Sequence, residues 1–175
     1  MREAIGGTWL FQIVIVFVLL FTGYMCMSIN HSKAYNVKSD MLDIIERYGG
    51  LNVNSDIDSD DPALVAIVEG MQNNSYRTTG KCPSDIVDGN NHIIGHYVGY
   101  NRDGKLDSNN PAFCVAEVNV WDSETVTQQS CELPNMRYYR IVVFYQLDLP
   151  VFQNLFQFSL KGDTKVISTT KPECK

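Results

Sequence analysis

The residues best suited to covalent chemistry in this chain are its cysteines. Five occur, and Cys26 lies inside a long apolar run near the N-terminus. The others lie in the more polar remainder of the chain: Cys82, Cys114, Cys131 and Cys174. An even number of cysteines in a small domain predicts disulfides and an oxidising compartment, with three connectivities open for two bridges. The alternative is unpaired buried thiols, and no CxxC pair or zinc-type His/Cys spacing occurs.

An acidic segment has part of the spacing of a calcium-binding loop. Asp56, Asp58 and Asp60 alternate as the first three ligands of such a loop do. The sixth position is Asp61 instead of Gly, and the twelfth is Ile67 instead of Glu. Because a helix is predicted to begin here, carboxylates that interact with its N-terminus explain the segment equally well. We therefore expect no metal site.

Two histidines in a predicted strand are the other candidate ligands. His92 and His96 share a face, but at about 3.3 Å per residue they lie about 13 Å apart, too far for one metal ion unless the strand breaks. The sequence has no Ser/His/Asp arrangement, glycine-rich phosphate loop or HExxH motif. We predict that the protein is not an enzyme and has no catalytic residues and no cofactor.

The overall charge argues against one class of partner. The 175 residues carry a formal net charge of −6, and no run of Lys or Arg occurs. Nucleic-acid binding requires clustered Lys and Arg, so nucleic acid is not an expected partner. The part of the chain that follows the first 30 residues is long enough for one ordinary domain.

Residues 9–29 form an almost unbroken apolar run, with no charge between Glu3 and Lys33. As a helix the run is about 31 Å long, enough to cross a bilayer. It is longer than the core of a cleaved secretory signal and lacks a good cleavage site, so an uncleaved anchor is predicted. Gln12 is either an interfacial side chain near the lipid headgroups or a hydrogen-bonding contact between neighbouring helices.

Two signals disagree about the orientation of this span. Only Arg2 precedes it, whereas Lys33, Lys38 and Arg47 follow it, which by cation counting places the later part of the chain in the cytoplasm. The cysteines favour an oxidising exterior instead. We predict a single-pass cell-membrane protein with a cytoplasmic N-terminus and an extracytoplasmic C-terminal domain.

The helical pattern continues beyond the apolar run. Apolar residues recur at spacings of three and four with charged residues between them, which predicts an amphipathic helix. The apolar set is Ala34, Val37, Met41, Leu42, Ile44, Ile45 and Tyr48. No proline precedes Pro62, and Gly49-Gly50 supplies a C-terminal stop, so one helix is expected over about residues 8–48.

The remainder predicts a small α+β domain. A short second helix begins at Asp61-Pro62, and strand-like runs then follow at 92–100, 113–121, 137–149, 156–160 and 165–168. The first two runs are expected to form a hairpin, and the last two a strand pair or one bent strand. A small antiparallel sheet of about four strands should pack on the amphipathic helix.

These elements predict four successive regions. Residues 1–7 form a short leader or cytoplasmic tail, and 8–30 form the transmembrane helix. Residues 31–50 extend the same helix, and 51–175 form the extracytoplasmic head.

The plan resembles that of type IV pilins and pseudopilins, a lollipop in which a long N-terminal helix carries a sheet domain. The resemblance implies that the apolar half is anchored in lipid before assembly and packs in a filament core afterwards. It also implies a leader cut between Gly7 and Thr8, which would place Gln12 where the family usually has Glu. The alternative is that the chain remains full length.

The end of the chain is similar to TadE-like pseudopilins of Gram-positive bacteria. The similarity comprises the β run 141–145, the turn Leu149-Pro150, the apolar segment 152–158 and the sequence at 162–164. It implies a structural subunit, a minor pilin or pseudopilin, whose partners are the membrane and other pilin-like subunits. The alternative function is a membrane-anchored binding or sensory module that does not polymerise, with an unknown surface ligand.

Overall fold

The computed structural model describes residues 2–54, 56–57, 61–89, 91–120, 135–147 and 156–169. They form two helices, α1 (Arg2–Tyr48) and α2 (Pro62–Asn73), and seven strands. The strands are β1 (Ile86–Val87), β2 (Ile93–Gly95), β3 (Tyr97–Tyr100), β4 (Phe113–Asn119), β5 (Asn135–Leu147), β6 (Phe156–Asp163) and β7 (Ile167–Thr169). The predicted α+β class, with a long N-terminal helix and a small antiparallel sheet, is confirmed.

Helix α1 is continuous over 47 residues, or about 70 Å at 1.5 Å per residue. Its second half carries a stripe of buried side chains, each at most 3% exposed: Ala34, Val37, Met41 and Ile45. Their spacing of three and four places them on one face, as the amphipathic pattern predicts. The helix ends where Gly49 adopts a φ of +75° and Gly50 N–H donates to the carbonyl of Ile45.

Helix α2 begins at an Asp-Pro cap, as predicted. An Asp61 carboxylate oxygen accepts hydrogen bonds from the backbone N–H groups of Ala63 and Leu64 at the helix N-terminus. The other oxygen accepts from Asn52 N–H, which ties the cap to the loop after α1. The buried face of α2 adds Leu64, Ile67 and Met71 to the core shared with α1.

The main sheet has five strands in the order β3-β4-β5-β6, with β7 also paired to β5. All of its pairings are antiparallel, and β3 and β4 form the expected hairpin, with Tyr100 opposite Phe113. Strands β6 and β7 pair with successive parts of β5 rather than with each other. Thr164 lies between β6 and β7 and makes two hydrogen bonds with the backbone of Tyr139 in β5. The two strands are therefore best described as one bent strand.

One face of the sheet packs on the helices. Its buried side chains join those of α1 and α2 in a single cluster, which includes Tyr100, Phe113, Val115, Tyr139, Ile141 and Val143. Helix α1 lies across β5 and β6. We use the term head domain for the two sheets, the strap residues 79–87, α2 and the half of α1 that packs on the main sheet. The amphipathic half of α1 is therefore part of the core of the head domain.

Residues 79–87, which we call the strap, cover the opposite face of the sheet. Gly80 N–H donates to the carbonyl of Pro111, and a Cβ at Gly80 would lie 2.3 Å from the ring of Phe144. Only glycine allows so close an approach. Farther along the strap, Ile86 packs with Val118 of β4. The sheet is thus buried on both faces at its centre, which explains why β4 and β5 each contain four consecutive buried apolar residues, at 113–116 and 141–144.

The structure differs from the predicted strands in two places. The run 92–100 is two strands, because the chain breaks at His96 between β2 and β3. Strand β2 pairs with β1 in a separate two-stranded sheet, and β3 pairs with β4. Strand β1 has no counterpart among the predicted strands, because two residues carry no detectable alternation.

Candidate functional site

The first half of α1 presents a bare apolar surface. Every side chain from Thr8 to Thr22 is exposed, including Phe17 at 68% and Leu20 at 69%. The helix is long and apolar enough to cross a membrane, and its most apolar stretch has no side chain buried in the head domain. The described part of the chain leaves these side chains uncovered, and an exposed apolar surface of this extent is typical of a segment in contact with lipid or with other helices.

The predicted residues at the start of the helix lie on this surface. Gln12 is exposed one turn inside the apolar run and can therefore contact either lipid headgroups or a neighbouring helix. Gly7 and Thr8 lie within the continuous helix, and cleavage between them stays a prediction.

No linker separates the apolar half of α1 from the head domain. The Asn30 amide donates to the carbonyl of Gln146 at 2.9 Å, and the rings of His31 and Tyr145 form a T-shaped pair with 5.5 Å between ring centres. At the other end, Glu46 accepts hydrogen bonds from the backbone N–H and the ammonium of Lys165, which lower the Glu46 pKa. The packed half of α1 is thus fixed to the sheet from Asn30 to Glu46.

A cleft of about 200 Å³ lies where α1, the turn after α2 and the end of β5 meet. Its polar lining includes Asn30, Lys33, Asn74, Arg77 and Gln146. From sequence, Lys33 is recognisable only as a cation near the span. Arg77 is not predicted as a site residue, because nothing in the sequence indicates that residues so far apart face the same cavity.

Tyr76 fixes the turn that forms one wall of this cleft. Its hydroxyl donates to the carbonyl of Phe144 and accepts from the N–H of the same residue at 2.7 Å. Phe144 lies one position beyond the last β4–β5 pair, so the hydroxyl replaces a missing strand neighbour. Burial raises the pKa of the Tyr76 phenol, which keeps the hydroxyl protonated and able to donate.

Cys82 and Cys114 form a disulfide that joins the strap to β4. The prediction of disulfide bonding is confirmed for this pair. Cys131 and Cys174 lie outside the described residues, and a second disulfide stays a prediction. Cys26 lies in the apolar half of α1.

The candidate metal ligands have local partners instead. Asp56 accepts from the N–H of Leu106, while Asp58 and Asp60 lie outside the described residues. His92 and His96 face different carboxylates, with His96 Nδ1 3.1 Å from Asp85. Within the described ranges, no group of three or more His, Cys, Asp or Glu side chains could hold a metal ion.

The described residues therefore offer two features for function: the bare apolar half of α1 and the cleft at its base. Comparisons with protein-family models, curated proteins and solved structures find no match to this chain.

Proposed function

We propose that this protein is a structural subunit of a bacterial cell-surface filament or secretion apparatus, a minor pilin or pseudopilin of the TadE-like kind. It assembles through the apolar half of α1. The observation that supports this proposal most is that one uninterrupted helix has a bare half and a half buried in its own head domain. Assembly is the mechanism, and no catalysis is involved.

The attachment of the helix to the head domain favours a subunit over a tethered module. A module that only needs an anchor works with a separable segment between the membrane and the head. Here Asn30 already bonds to Gln146, and Ala34 and Val37 are buried one and two turns later. Force or displacement applied to the apolar half would therefore reach the sheet directly, as a load-bearing filament requires.

The apolar half is suited to packing by other helices. In lipid, helices associate through close van der Waals packing and interhelical hydrogen bonds, because the hydrophobic effect does not favour protein over acyl chains. Exposed Gln12 supplies a polar group for such a bond near the start of the helix. Phe17, Leu20 and Phe21 supply large apolar contacts on the same bare segment.

The disulfide supports the proposed orientation. A bridge between the strap and β4 persists in an oxidising environment and is rare in the cytosol. We therefore place the head domain outside the cell and the N-terminus inside. Removal of the leader before Thr8 is part of the proposal for a filament subunit, although the fold does not depend on it.

Shearing of intact cells tests this function. Filaments should detach and pellet from the sheared supernatant, and an antibody against the head domain should detect this protein along or at the tip of them by immunogold imaging. A single-span membrane protein that does not polymerise should stay with the cells as the control. Recovery of this protein only from detergent-extracted membranes would instead favour the non-polymerising binding or sensory module.

A further inference from the structure

The cleft at the base of the head domain combines two cations on different elements. Lys33 extends from α1 and Arg77 from the turn after α2, and both line the cavity. Both side chains are exposed. No carboxylate appears in its lining among the described residues, although the protein as a whole is acidic. The cleft is therefore a locally cationic site on an anionic molecule.

The position of the cleft along α1 places it at the membrane surface. Lys33 lies four residues after Ile29, the end of the apolar run, or about 6 Å along the helix axis. The polar headgroup layer on each side of a bilayer is about 5–8 Å thick. With the apolar run in the hydrocarbon core, the Lys33 end of the cleft lies at the depth of the lipid phosphates.

The walls of the cleft are fixed in place. Asn30 is held by Gln146, and the Tyr145 ring stacks on Phe158 at 5.1 Å between ring centres. Tyr76 directly precedes Arg77, and its buried side chain anchors this part of the chain to the backbone of Phe144. The Asp40 carboxylate, which is not part of the cleft lining, accepts a hydrogen bond from the amide of Asn74. A ligand would therefore meet a largely formed site.

We propose that this cleft binds the phosphate of an anionic lipid headgroup. Lys33 and Arg77 supply the positive charge, and Thr78 belongs to the same lining. A bound headgroup would fix the height and tilt of the head domain on the bilayer. This inference does not depend on filament assembly, since it holds equally for a subunit waiting in the membrane and for a permanent anchor.

Native mass spectrometry of the full-length chain tests the site. The chain is reconstituted in nanodiscs with equal amounts of phosphatidylglycerol and phosphatidylcholine, whose choline cation opposes Lys33 and Arg77. The wild type should retain phosphatidylglycerol preferentially. In the double variant K33Q/R77Q, the ratio of retained phosphatidylglycerol to phosphatidylcholine should be about tenfold lower than in the wild type. The matched variant R102Q/K105Q removes one Arg and one Lys, both exposed in the β3–β4 loop outside the cleft, and should retain the preference.

Three results would overturn the proposal. The wild type could show no preference for the anionic lipid, or K33Q/R77Q could keep it while circular dichroism shows an intact fold. The two double variants could also lose it equally, which would indicate net charge rather than a site. In a further experiment, soluble glycerol phosphate is added at the total lipid concentration. If it displaces no phosphatidylglycerol from the protein, the ligand is a lipid headgroup. Full displacement would contradict the proposal.

Discussion

Replacing Met41 with alanine is expected to lower the free energy of unfolding of the head domain by about 2–5 kcal/mol. Met41 is 1% exposed and lies between Val37 and Ile45 on the buried face of α1. Truncation removes apolar contacts and leaves a cavity in the core that α1 shares with α2 and the sheet. Chemical denaturation of the full chain in detergent, followed by near-ultraviolet circular dichroism of the buried tyrosines, measures the change.

The same substitution at Met25 is the matched control. Met25 lies on the same helix but is 48% exposed in the apolar half. M25A should change the stability of the head domain by no more than about 0.5 kcal/mol, since no head contact is lost. Equal effects of M41A and M25A would mean that α1 is not an integral part of the head core.

The second large effect is expected at the disulfide. Cys82 and Cys114 are separated by 32 residues, and closing a loop of that length is worth about 3–4 kcal/mol through the entropy of the unfolded chain. The double variant C82S/C114S should lose this amount of stability, and the strap should detach before the sheet unfolds. Thermal unfolding in detergent, with and without a reductant, measures the stability of both the variant and the wild type.

Cys26, in the apolar half of α1, provides the control for this experiment. C26S removes a thiol but no bridge within the described residues, and it should leave the unfolding temperature nearly unchanged. Reductant should destabilise wild type and C26S alike. If C82S/C114S unfolds at the wild-type temperature, the strap is held by packing alone and the bridge contributes no stability.

Local sequence patterns predicted the long helix well. The charge-free run, the spacing of three and four from Ala34 to Ile45, and the Gly49-Gly50 stop are short-range signals that act within one element. The structure confirms the helix and its buried face from Ala34 to Ile45, whereas Tyr48, which was predicted to lie on that face, is 50% exposed at the end of the helix. The Asp61-Pro62 start of α2 was equally local, because a cap is defined by neighbours two and three residues away.

The arrangement of the sheet was less accessible from sequence. The break at His96 lies inside a run with good strand composition, and only the assignment of its two halves to different sheets explains it. The pairing of Cys82 with Cys114 was one of several open connectivities, because cysteine spacing does not specify partners.

The candidate site also contains features that depend on tertiary contacts and could not be predicted from the sequence. The apolar half of α1 was evident as a continuous run of residues, so the proposed assembly surface followed from sequence. The cleft was not evident, because Lys33 and Arg77 are brought together only by the packing of α1 against the turn after α2. Tertiary contacts of this kind leave no local pattern.

The most direct test of the proposed assembly is a cross-link from the apolar helix in intact cells. A photo-reactive p-benzoylphenylalanine is incorporated in place of Phe17, which is 68% exposed. Irradiation should covalently join this chain to a second copy or to another pilin-like subunit, and dissociation in detergent beforehand should abolish the product. Adducts with lipid alone, from cells that display the protein at normal levels, would contradict assembly through α1.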